Sequence, residues 1–212
     1  MSTREHILDS IRAALKDSPE APVIPRDYRR SVPLTAGELI RILVDRLEDY
    51  KAGVTVVDTS EVPATLERLL AGASSYVVPA GLDPAWLSWE TRPARRRADG
   101  GANGPLSVAD LDTTDAVVTA SAVTVAESGT IILDGSPDQG RRAISLIPDH
   151  HICIVNAADI VAILPEALVR IDGTRPLTMI SGPSATSDIE LERVEGVHGP
   201  RRLDVIVALN GS

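Results

Sequence analysis

The run Val54-Thr-Val-Val-Asp58, a helical stretch over residues 62–72 and the run Tyr76-Val-Val-Pro79 alternate strand, helix and strand. Short, β-branched runs without a polar face suit strands buried on both sides, and helical crossovers between them imply a parallel sheet covered on both faces. Upstream, Thr35-x-x-Glu38 is a capping box opening a helix whose apolar face is Leu39, Ile42, Leu43 and Leu47. Downstream, Ala116-Val-Val-Thr119, Ile152-Cys-Ile-Val155, Leu177-Thr-Met-Ile180 and Leu203-Asp-Val-Ile-Val207 extend the strand series. Val123-Thr-Val-Ala126 and Thr130-Ile-Ile-Leu133 flank Glu127-Ser-Gly129, a turn short enough to make an antiparallel hairpin. Helices are expected over 141–147 and in parts of 157–170. Residues 91–106 break the rhythm with Arg, Gly and Pro and read as a surface loop.

Residues 1–34 read differently. Ser2-x-x-Glu5 is a second capping box, and Ile7, Leu8, Ile11 and Leu15 recur on one helical face. Pro19, Pro22, Pro25 and Pro33 then deny both helix and ladder, which makes 17–34 an extended linker. The chain therefore divides into an N-terminal helical arm with its Pro-rich linker, 1–34, and an α/β domain, 35–212. The arm could pack on its own domain, on a sister subunit of a homo-oligomer, or on a different protein.

Composition narrows the chemistry. The chain has 212 residues, one Cys and no Phe, so aliphatic residues must build the core and no Cys-rich zinc or iron–sulfur site can be held by this chain alone. The net charge is −9; residues 1–106 hold 14 basic and 15 acidic groups, and 107–212 hold 7 and 15. That balance opposes nucleic-acid binding, which needs a basic stripe. The one basic run, Arg92 with Arg95, Arg96 and Arg97, reads as a solvated loop. No window has the apolar length of a membrane span, and the first residues carry charges where a signal peptide would be apolar, so a cytoplasmic address is expected.

Three connections concentrate Gly, hydroxyls and charge at strand ends, where open α/β sheets bind ligands. Ala126-Glu-Ser-Gly-Thr130 offers Glu127 as nucleophile or base, with Ser128 and Thr130 as donors to an anion; its plain alternative is a hairpin turn with Glu127 in water. Ser181-Gly-Pro-Ser-Ala-Thr-Ser-Asp-Ile-Glu190 offers Ser184 to an anion and Asp188 as a proton-handling group, or is a loop satisfying its own backbone. Gly196-Val-His-Gly-Pro-Arg-Arg202 brings His198, which exchanges protons near neutrality, and Arg201, which can grip a carboxylate or phosphate. Gly135-Ser-Pro-Asp-Gln-Gly140 has phosphate-loop glycines, but Arg141 and Arg142 replace the Lys and hydroxyl, so a triphosphatase is rejected; both arginines can still meet an anion, and Arg141 is taken as the candidate anion ligand. No G-x-G-x-x-G follows a strand, His150-His151 lack a third metal ligand, and Cys153 sits among Ile and Val as a core residue. Neither cofactor nor metal is expected.

At these same segments the sequence resembles the lactate-utilisation domain family. The likeness is carried by Val125-Ala-Glu-Ser-Gly-Thr-Ile-Ile-Leu133, Gly140-Arg-Arg-Ala-Ile-Ser-Leu-Ile-Pro148, Ser181–Glu190 and Gly196-Val-His-Gly-Pro-Arg201. The resemblance implies a three-layer α/β sandwich with a mainly parallel sheet, similar to the isomerase and CoA-transferase group. It also implies a role in oxidising L-lactate to pyruvate beside iron–sulfur companion proteins. Combined with the site residues, the expectation is a non-redox component that binds a small carboxylate or phosphate, a partner, or both. The alternative is a stand-alone enzyme of transferase, isomerase or cyclo-ligase type using Glu127, which rests on fold analogy alone.

Overall fold

The computed structural model describes residues 2–16, 22–183, 185–186, 194–195 and 199–209. Its helices are α1 (Thr3–Ala14), α2 (Ala36–Asp49), α3 (Val62–Leu69), α4 (Val108–Asp112), α5 (Arg142–Leu146) and α6 (Leu164–Leu168). The strands are β1 (Gly53–Asp58), β2 (Tyr76–Pro79), β3 (Arg96–Asp99), β4 (Ala116–Ala120), β5 (Val123–Val125) and β6 (Thr130–Leu133). They continue with β7 (His150–Asn156), β8 (Ile160–Val161), β9 (Thr178–Ile180), β10 (Ala185–Thr186), β11 (Val194–Glu195) and β12 (Arg202–Leu209).

Six strands form a parallel sheet in the order β1-β12-β7-β4-β2-β3. The last strand thus enters the middle, with Val205 opposite both Val54 and Cys153. Alternation along the strands divides the side chains between two faces. On one face Ile152, Ile154 and Ile206 pack with Leu66 of α3 and with Leu70, which caps it. On the other, Cys153, Val155, Val205 and Val207 pack with Leu43 and Leu47 of α2 and with Ile131 and Leu133. Farther along that second face, Leu111 of α4 and Ile144 of α5 cover Val77 and Val117. Helices flank the mainly parallel sheet in an α/β sandwich, as expected.

The second face is not covered by helices alone. A four-stranded sheet, β8-β5-β6-β9, lies there, built on the expected antiparallel β5–β6 hairpin. Aliphatic strands serve as the cover where the chain has no Phe to supply bulk.

Residues 91–106 correct the sequence reading. They contain β3, which pairs with β2 at the sheet edge, so this stretch is not simply a loop. The arginines explain the difference. Arg95 is buried, donates to the Leu70 and Ala73 carbonyls at 2.6 Å each, and lies 6.0 Å from the Tyr76 ring centre. Arg97 bonds Asp110 at 2.7 Å. A guanidinium can be buried when its donors are satisfied this fully, and a charge pattern does not reveal that.

Both capping boxes form, at Ser2 and Thr35. Among its described residues α1 buries none, and Ile7, Ile11 and Leu15 stay exposed. The linker is tied down at its far end, where Arg29 pairs with Glu127 at 2.5 Å and the Val32 amide donates to Glu166 at 2.8 Å. Leu47→Ala should therefore cost about 2–5 kcal/mol, read as a lower urea midpoint at unchanged slope. Ile7→Ala should stay within about 0.5 kcal/mol.

Candidate functional site

The β5–β6 turn is fixed by a close approach. Gly129 has φ +62°, and a Cβ there would stand 2.9 Å from the Arg46 Cβ on α2, so only glycine fits without strain. Arg46 Nε donates to the Glu127 carbonyl at 3.2 Å, and the Ala126 and Glu127 amides bond the Val161 and Ala162 carbonyls. Held this way, the turn presents a chain of hydroxyls: Ser128 to Thr130 at 2.8 Å, then Thr130 to Ser181 at 2.8 Å. Register explains the second link, because β6 and β9 pair Ile131 with Ile180 and so set Thr130 beside Ser181.

Ser181 stands at one end of a cleft of about 340 Å³ on the second face of the main sheet. Arg142, Ser145 and Leu146 of α5 line it together with residues 177–183. His151 and Leu203 supply the floor, with Gly199 and Pro200 at the end where β12 begins. Arg142 is exposed, and among the described residues its side chain forms no ion pair. His151 is buried, with Nε2 at 2.8 Å from the Thr119 hydroxyl. Burial, reinforced by neighbouring His150, pushes its pKa down to about 3, so the ring is neutral at physiological pH. Two residues along, burial pushes the Cys153 thiol up to about 12, which removes it as a nucleophile.

The expected site residues are distributed as follows. Ser128 and Thr130 reach the cleft through Ser181. Glu127 belongs to the same turn, but its half-exposed carboxylate is engaged by Arg29 and is not among the cleft walls. Arg141 faces elsewhere, clamped on Asp99 by bonds of 2.9 and 2.8 Å and on the Leu106 carbonyl at 2.6 Å. Arg201 lies against Asp149 at 3.3 Å, in a second, open basin that also holds Arg68 and Arg202. Ser184, Asp188 and His198 lie outside the described residues. Pro183 and Gly199, adjacent in sequence to Ser184 and His198, both line the cleft.

Sequence reasoning did not single out Ser145, weighed His151 only as a metal ligand, and, of Arg141 and Arg142, committed to Arg141. The signal for His151 was available: it alternates with Ile152 and so shares the face of Cys153. Among the described residues no group of three or more His, Cys, Asp or Glu is arranged to hold a metal ion. No described helix is long and apolar enough to cross a membrane.

The family model for the LUD domain matches residues 40–208, which include the main sheet and every wall of the cleft. The chain belongs to the LUD domain family. Lactate utilization protein C of Deinococcus radiodurans is 45% identical over 205 residues, covering 95% of this chain and 93% of that protein. The protein of the same name from Shouchella clausii is 34% identical over 131 residues, 58% of this chain and 52% of that one. A crystal structure of a DUF162 family protein from Deinococcus radiodurans superposes with a TM-score of 0.70 at 42% identity, over 84% of this chain and 100% of that one. The LUD domain thus has a solved relative of the same overall fold.

Two tests follow from the buried groups beneath this LUD-domain cleft. Unfolded His151 takes up a proton near its ordinary pKa of 6.5, whereas the native ring stays neutral down to about 3. The unfolded state then binds more protons, so stability falls as pH drops through that window, by at most about 1.4 kcal/mol per pH unit. His151→Gln should flatten this limb of the pH–stability curve measured by urea unfolding. Cys153, the sole thiol, should resist iodoacetamide in the native protein and be labelled fully in denaturant, as read by mass spectrometry.

Proposed function

We propose that this LUD-domain protein is a non-redox component of an L-lactate utilisation system, the oxidation of lactate to pyruvate. In this reading it binds a small carboxylate in the cleft between α5 and β9, and its N-terminal arm docks on iron–sulfur companion proteins in the cytoplasm. The names of its relatives supply the pathway. Lactate and pyruvate each carry a carboxylate, which calls for one guanidinium and several hydroxyl or amide donors. The observation that carries the reading is that Arg142, Ser181 and Gly182 line one space of small-molecule size.

In this reading Ser184 would serve as an anion donor, and Asp188 and His198 as proton-handling groups. Arg201 would contribute from the neighbouring basin. Residues 35–212 act as the binding domain and 1–34 as the tether and docking arm. The rival reading, direct catalysis by Glu127, has less support, because Arg29 occupies its carboxylate at 2.5 Å.

Thermal-shift screening separates these readings. A ligand that binds only the native state raises the melting temperature, so lactate or pyruvate should shift it upward while sugar phosphates and CoA esters should not. Arg142→Ala should remove the shift. Should neither acid move the transition, carboxylate binding is wrong. Turnover that vanishes in Glu127→Gln, with folding and partner binding intact, would replace the reading with direct catalysis.

A further inference from the structure

At the opposite end of the sheet from His150 and Arg202, β4, β7 and β12 finish around a second, smaller cleft of about 180 Å³. Carboxyl ends of parallel strands are where open α/β sheets place ligands. The segment Gly135–Gly140, rejected above as a phosphate loop, supplies one wall through Asp138.

That wall is rigid. The Ala120 amide donates to the Asp138 carbonyl at 3.0 Å, and the Gly81 amide donates to the Pro137 carbonyl at 2.9 Å. A Cβ on Gly81 would stand 2.5 Å from the Pro137 Cβ, so the two loops meet at a distance only glycine permits. The buried Gln139 side chain accepts from the Asp134 amide at 2.6 Å. The Asp138 carboxylate takes part in no ion pair among the described residues and is held by its own backbone amide and the Gln139 side chain. Burial raises its pKa above the usual carboxylate range, and the nearby Asp134 charge adds to the effect.

The other walls bring Asp159 and Asn156 from the end of β7 and the turn after it, Ser121 just past β4, and Trp86. The Ser121 hydroxyl is buried and has no hydrogen-bond partner among the described residues. Among the described residues no Arg, Lys or His lines this cleft. An anion would meet two carboxylates with nothing to offset them. An ammonium group can donate to the carboxylates, the Asn156 carbonyl oxygen and the Ser121 oxygen, but it offers no acceptor to the Asn156 N–H groups or the Ser121 O–H. A ligand hydroxyl both donates and accepts, and so matches every group present. The space equals about six liquid-water volumes, which fits a short polyol.

We propose that this cleft is a second small-molecule site, taking an uncharged polyhydroxylated ligand held by Asp138, Asp159 and Asn156 with its carbon face against Trp86. It is independent of carboxylate binding beside Arg142, and either site can fail without the other. Titration of the full 15N-labelled chain with erythritol, glycerate and ethanolamine, followed by amide chemical shifts, tests it with matched neutral, anionic and cationic probes. Erythritol should move the Ser121, Asp138 and Asn156 amides and leave Ser181 and Gly182 in place. Asp138→Ala should weaken that binding at least tenfold, and Asn156→Ala, at an exposed position, should do the same. Silence at those three amides, tighter binding of glycerate or ethanolamine, or unchanged affinity in a folded Asn156→Ala protein would each overturn the proposal.

Discussion

A parallel sheet whose strands are apolar on both faces must exclude water from both, and this chain does so with few aromatic side chains. On one face, α3 is joined by Leu82, Trp86, Leu87 and Trp89. On the other, α2 and a four-stranded sheet share the work, joined through Leu43, Leu47, Ile131 and Leu133. The hairpin turn is pressed on α2 at Gly129, so the position of Glu127, Ser128 and Thr130 follows from how the cover meets the helix. The larger cleft is the seam between α5 and β9 where two parts of that cover stand apart.

The fold was legible wherever local periodicity and tertiary role agree. Both capping boxes, the β5–β6 hairpin and the buried parallel strands follow from spacing alone. β3 was not legible, because its Arg96-Arg97 run reads as solvent-facing and nothing local shows that Arg95 ends on the Leu70 and Ala73 carbonyls. β8, two residues long, gains its strand character only by pairing with β5. The site was legible as segments rather than as side chains. The turn at 127–130 and the connection after β9 do meet, but adjacent arginines diverge: Arg141 is drawn to Asp99, and Arg142 is left at the cleft. A one-residue step along the chain changes direction completely when a helix starts there, and no composition rule anticipates it.

The two clefts differ in sign. Beside α5 the charged group is a guanidinium set among hydroxyls; past the ends of β4 and β7 there are carboxylates, an amide and an indole. One sheet thus offers opposed electrostatic environments at well-separated positions, and the loop from Asp134 to Arg141 runs between the elements that build them. The linker contacts at Glu127 and Glu166 keep the chain after residue 28 on the domain, so freedom of α1 depends on what precedes that point.

Sulfur is scarce here, and its placement carries a consequence. Cys153 is sealed inside, so the thioether of Met179, half exposed at the cleft wall, is the first sulfur among the described residues that a peroxide meets. Conversion to the sulfoxide would turn an apolar lip into a polar, chiral one. Oxidative stress would therefore register at the mouth of the cavity before it reached the core, and a reductase could erase the mark.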